Sequence, residues 1–172
     1  MPDRSCGNSL IPTLVLCFLT CTVTPGVATS ERIAQEPTIS TRGLVPADLR
    51  FRLRSAHRLA RERLSNSPGC RALFDSLGAD GPTVLEGSTY GVAQSGFEQS
   101  ICSERSAAAF TTVSGQRVHL CPRLFSGLTV QKAAMILIHE SLHRAGLSEW
   151  PSNPAGLRSV EINTLIRDRC RL

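Results

Sequence analysis

The stretch TVQKAAMILIHESLHRA, residues 129–145, decides the fold of this chain and carries its most chemically specific pattern. Val130, Ala134, Leu137, Ile138 and Leu142 recur at three- and four-residue intervals, the spacing of one buried face of an α-helix. Thr129 offers an N-cap oxygen, and Gly146 suits the left-handed residue that often ends a helix. Off the apolar stripe, His139 and His143 stand four residues apart and so share one side of the helix. Two imidazoles so placed can reach a single Zn2+ ion, with Glu140 beside it. A carboxylate there can take the proton of a zinc-bound water, whose pKa the metal lowers to roughly 7. The pattern HExxH therefore predicts His139 and His143 as zinc ligands and Glu140 as the catalytic general base.

Working outward, residues 46–64 place Leu49, Phe51, Leu53, Ala56, Leu59, Ala60 and Leu64 at helical spacing, with Pro46 tolerated in the first turn and His57 expected on the surface. Ser67-Pro68 opens a second, short helix that carries Cys70 and stops at Gly78. Between Gly81 and Pro122 the texture turns to Thr, Val, Ser and Gly, which predicts a small sheet. Its clearest hairpin is AFTTV, SGQ, RVHLC, with Val118 and Leu120 on one face of the last strand and His119 on the other. A last helix runs from about Leu157 to Cys170 and is expected to dock on the HExxH helix. The fold class is α+β: a small antiparallel or mixed sheet packed on the HExxH helix, with additional helices.

Residues 1–28 read as a secretory signal peptide, with Arg4, an apolar run from Leu10 to Val23 and cleavage after Ala28. That run is shorter than the roughly 20 residues a membrane span needs, and no later stretch approaches that length, so no transmembrane segment is expected. Lipid attachment at Cys17 or Cys21 is disfavoured because Leu16 and Thr20 precede them where a small residue is wanted. Residues 29–45 are polar and aperiodic, a flexible N-terminal tail, and 46–172 form a single domain. Four cysteines follow the signal: Cys70, Cys102, Cys121 and Cys170. In an exported chain, secreted or periplasmic, an even number suggests two disulfides, and three connectivities are open.

The whole chain carries a formal charge of +5. Six arginines crowd between Arg50 and Arg63 without stacking aromatics. This argues against specific nucleic-acid recognition and leaves, at most, weak contact with anionic surfaces through that helix.

The runs LCPRLF and ILIHESLH, within a strand, Cys-Pro-x-Leu-Phe, HExxH helix and downstream acid between Ala109 and Cys170, resemble the zincin metallopeptidases, in particular the small secreted aspzincin type. The resemblance implies a zincin-like catalytic domain, a peptide or protein substrate, His139 and His143 as ligands, and Glu140 as base and then acid. A catalytic zinc keeps three protein ligands and one open position. HESLHRAGLSE matches the metzincin spacing HExxHxxGxxE with Glu149 in the final place, and Gly146 would allow the turn that brings it to the metal. No methionine follows Met135, so the metzincin Met-turn is absent, and the aspzincin Asp in a Gly-Thr context is absent too. Glu161, 18 residues beyond His143, takes the gluzincin position and is the alternative third ligand. The spare acid would orient a histidine.

These residues predict a secreted zinc metallopeptidase. An extended substrate is expected to pair with the strand near Val118; the sequence does not specify the residue that stabilises the oxyanion, for which Tyr90 and His119 are the candidates. The alternatives are a zinc hydrolase acting on another bond, and a non-catalytic basic module for anionic envelope polymers with a structural metal or none.

Overall fold

Helix α6 (Val130–Arg144) forms where the sequence places it: the Thr129 side chain accepts from the Lys132 N–H at 3.2 Å, and apolar residues line one face. The computed structural model describes residues 36–39, 45–104 and 106–172. The predicted signal peptide lies outside the described residues. Ala133, Ala134, Leu137, Ile138 and Leu142 are buried, while Val130 is only half-buried.

Against α6 packs α1 (Ala47–Asn66), the most extensive pairing of elements in the fold, through Leu49, Leu53, Ala56, Ala60 and Leu64. Two expectations for α1 are overturned. Phe51 is exposed, because the residues that meet α6 fall on the other side of the helix. His57 is buried and meets Tyr90 edge-on at 5.9 Å, because it follows the core residue Ala56 within the same turn.

The second helix, α2 (Pro68–Asp75), has Ser67 as its cap and Gly78 at φ +67 just beyond it, as the sequence indicates. Two helices then occupy the stretch expected to be sheet alone: α3 (Gly81–Glu86), capped by the Asp80 side chain, and α4 (Gly96–Glu104). At six and nine residues they are too short to show a helical period, and their caps do the specifying. At α4 the Ser95 hydroxyl accepts from the Glu98 N–H, while the Glu98 carboxylate accepts from the N–H groups of Gln94 and Ser95.

The sheet is mixed. Its four strands are β1 (Thr38–Ile39), β2 (Thr89–Val92), β3 (Ala109–Phe110) and β4 (Arg117–Leu120), in the order β1-β2-β4-β3. The first three in that order run parallel and β3 runs antiparallel to β4, with Ala109 opposite Leu120 and Phe110 opposite His119. Strand β1 falls inside 29–45, where a tail was expected. Two β-favouring residues suffice for it, and no periodicity can announce so short a strand. The described residues belong to one compact unit, 32–172.

Val118 and Leu120 face the core and His119 the opposite side, as alternation requires. A short α5 (Pro122–Phe125) joins β4 to α6, and α7 (Ser159–Cys170) closes the structure, burying Ile162 and Ile166 and packing on α6. Disulfides join Cys70 to Cys170, tying α2 to α7, and Cys102 to Cys121, tying α4 to the end of β4. Two disulfides fit an oxidising compartment. Among the described residues no helix is long and apolar enough to cross a membrane.

Candidate metal centre

The last two turns of α6 present His139, Glu140 and His143, all buried. Helix geometry brings the two imidazoles to the same side, where their Nε2 atoms lie 3.0 Å apart. The outer nitrogens are fixed by other elements. His143 Nδ1 donates to the Leu147 carbonyl at 2.7 Å, and His139 Nδ1 to Asn163 Oδ1 on α7 at 2.9 Å. A carbonyl oxygen can only accept, so each ring carries its proton on Nδ1 and turns an Nε2 lone pair toward the other. Two facing lone pairs repel. A cation between them removes the repulsion, and 3.0 Å is close to the roughly 3.3 Å that two bonds of about 2.0–2.1 Å span at a tetrahedral centre.

The third group arrives through the turn after α6. Gly146, at φ +107, folds the chain back so that the Leu147 N–H donates to the Leu142 carbonyl. Two residues later, Glu149 reaches the histidines from across the cleft. Its carboxylate oxygens stand 3.7 Å from His139 Nε2 and 3.9 Å from His143 Nε2. Among the described residues His139, His143 and Glu149 form a group that could hold a metal ion, with ligand atoms within 4.8 Å of one another. Glu149 Oε2 is buried without a hydrogen-bond partner among the described residues, as a coordinating oxygen lacking its ion would be.

The structure does not bring Glu161 to this group. It is exposed at the start of α7, where its carboxylate accepts from the Arg158 N–H at 2.7 Å and caps the helix. The residue from α7 that bonds to this group is Asn163, two positions on. Sequence reasoning missed it, although one signal was available: it is a polar residue bordering the buried stripe Ile162, Ile166, Cys170.

Tyr90 is fully buried against His57, and His119 pairs with Glu98 on α4 at 3.1 Å, its ring stacked on Phe110. Neither lines the cleft, so neither is placed to meet an oxyanion. On α1, Arg52 donates to the Leu128 carbonyl, and Arg54, Arg61 and Arg63 pair with Glu36, Glu86 and Glu62. Four of the six arginines in the run are therefore engaged within the chain.

The histidines and both glutamates floor a cleft of about 530 Å³ whose rim includes residues 106–111. Burial, reinforced by the neighbouring His143, lowers the His139 pKa to about 4, which keeps the ring neutral. Burial and then the charge of Glu149 push Glu140 up to about 8, against the opposing hydrogen bond from the Thr111 backbone.

These two shifts, with those of His57 and His119, which burial also lowers, set the pH response of metal-free protein. Between pH 4.5 and 6.5 the unfolded chain both protonates its histidine and ionises its glutamate, so the two effects oppose. From pH 7 to 8, above the ordinary histidine range, Glu140 dominates: it is ionised when unfolded and protonated when folded, and stability falls as pH rises. Chelator-treated protein is expected to lose about 1 kcal/mol over that interval in urea unfolding, and Glu140→Gln to remove most of the slope. An unchanged slope in the variant would assign the dependence to another group. Comparison with protein-family models, curated proteins and solved structures returned no match.

Proposed function

We propose that this protein is a secreted zinc metallopeptidase of zincin type, with zinc held by His139, His143 and Glu149 and with Glu140 as the proton-transfer group. The observation that carries the reading is the convergence of these four side chains from α6 and its following turn on one cleft. Nitrogen and carboxylate donors in a set of three suit a catalytic zinc site, which leaves one position open. Bound zinc would supply a Lewis acid that polarises a carbonyl and acidifies water.

The chain's own residues would do the rest. Asn163 and the Leu147 carbonyl hold the two rings in the tautomer that frees both Nε2 atoms. Glu140, one residue from a ligand and aligned by the Thr111 backbone, accepts the proton of the attacking water and returns it to the leaving amine.

Substrate would lie along β3. Strand β4, expected from Val118 to pair with substrate, is flanked by β2 and β3 and has no free edge. Strand β3 is last in the sheet order, and its residues line the cleft. A peptide added there would have its backbone fixed beside Glu140.

Purified protein freed of its signal segment is expected to hold about one zinc per chain by elemental analysis, in keeping with a three-ligand site. The His143→Ala variant is expected to lose stoichiometric zinc. Metal-free wild type that takes up no zinc on titration would remove the reading.

A further inference from the structure

A second cavity, of about 550 Å³, adjoins the catalytic cleft. Ser106 lines both, and Ile101 of the cleft is followed on α4 by Cys102 of the cavity wall. Strand β3 begins at Ala109, a bend lies at Ala108, and the backbone is left-handed at Ser106, with φ +48, where the cavity opens. The wall is formed by the Cys102–Cys121 disulfide, Gln99, Ser103, Leu124 and Arg123. Among the described residues lining it there is no acid, and Arg123 is its one cation. Arg123 is exposed on α5 and makes no hydrogen bond or ion pair among the described residues. The carboxyl groups of the cleft, Glu140 and Glu149, lie at one end, and the guanidinium of Arg123 stands at the other.

Resting on the peptidase reading, we propose that this cavity is a substrate subsite that selects an acidic side chain, Asp or Glu, through Arg123. Its distance from the reacting bond follows from the register. Glu140 is aligned by Thr111, and Ser106 lies five residues earlier along the rim. Fully extended, five residues would span roughly 17 Å at about 3.4 Å each, and the bend at Ala108 shortens this, which places the cavity three to five residues of an extended peptide away. Antiparallel addition, the more stable pairing, directs the C-terminal half of the peptide toward Ser106, so the acid sits on that side of the cleaved bond.

The test uses twelve-residue amidated peptides that carry Glu, Ala or Lys in turn at each of the third, fourth and fifth positions on the C-terminal side of the bond. Their kcat/KM values with wild type are measured alongside their affinity for the hydrolysis-deficient Glu140→Gln protein. Wild type is expected to prefer Glu over Ala about fivefold, mostly in KM, as for a solvent-accessible ion pair. Arg123→Lys should keep the preference, Arg123→Glu should shift it to the Lys peptide, and added salt should shrink it. If peptides are cleaved with no preference that follows the charge at position 123, the subsite is wrong and the peptidase stands. If wild type cleaves none of them, the peptidase reading fails, and the affinities of Glu140→Gln and of its Arg123→Glu double variant still decide the subsite. Equal affinity for the Glu and Lys peptides in both would overturn it.

Discussion

Glu140→Gln is expected to lower kcat for peptide hydrolysis about 10³-fold, the middle of the range for removing a general acid and base, while zinc content stays that of wild type. The argument is positional. Glu140 lies between the two histidines in sequence but outside the group that could hold the ion, and its Oε2 is buried with no hydrogen-bond partner among the described residues. A buried carboxyl beside Glu149, raised to about 8, is costly to ionise in metal-free protein. A divalent cation beside the two acids would favour the ionised form that accepts a proton. Gln preserves shape and volume but cannot accept that proton, so zinc affinity and catalysis should separate in this variant. Elemental analysis and steady-state kinetics on the same preparation check it. Activity within tenfold of wild type would mean that another group takes the proton.

How much of this could be read beforehand depends on how local each determinant is. The HExxH helix, its Thr129 cap and the Gly146 turn are written in consecutive residues, and the structure has all three. The choice between Glu149 and Glu161 could not be made from spacing alone. Glu149 reaches the histidines because Gly146 reverses the chain. Glu161 sits where a helix start needs a carboxylate for the Arg158 N–H, and capping keeps it there. Nor could Asn163 be placed, because its contact with His139 depends on how α7 lies across α6. The sheet failed in a similar way. Its hairpin was visible from alternation, but β1 has two residues and pairs with a strand about fifty residues away, so no local pattern announces it. His57 shows the same limit: whether it meets solvent or Tyr90 is settled by what packs on α1.

The largest effect on stability is expected from the Cys70–Cys170 bridge. It joins residues separated by 100 positions, and in the chain-entropy account a loop of that size contributes about 4.7 kcal/mol by restricting the unfolded chain. Loss of the bridge in a Cys70→Ser, Cys170→Ser double variant should cost about 4 kcal/mol in urea unfolding of metal-free protein. The 19-residue separation of Cys102 and Cys121 makes their bridge worth less, about 3 kcal/mol. The two bridges should also differ at the site. Cys170 ends α7, the helix that supplies Asn163 to His139, and the bridge fastens that helix to α2. Without it α7 is held on α6 by Ile162 and Ile166, and the ring of His139 loses part of its fixed orientation. Zinc affinity is therefore expected to fall about tenfold in the Cys70/Cys170 variant, at the low end for disturbing a ligand's hydrogen-bond partner, measured by competition with a chelator. The Cys102/Cys121 variant, whose bridge touches neither histidine nor Asn163, should bind zinc as wild type does. Equal losses of zinc affinity in both variants would show that the bridges act only through global stability, and that α7 does not position the metal ligand.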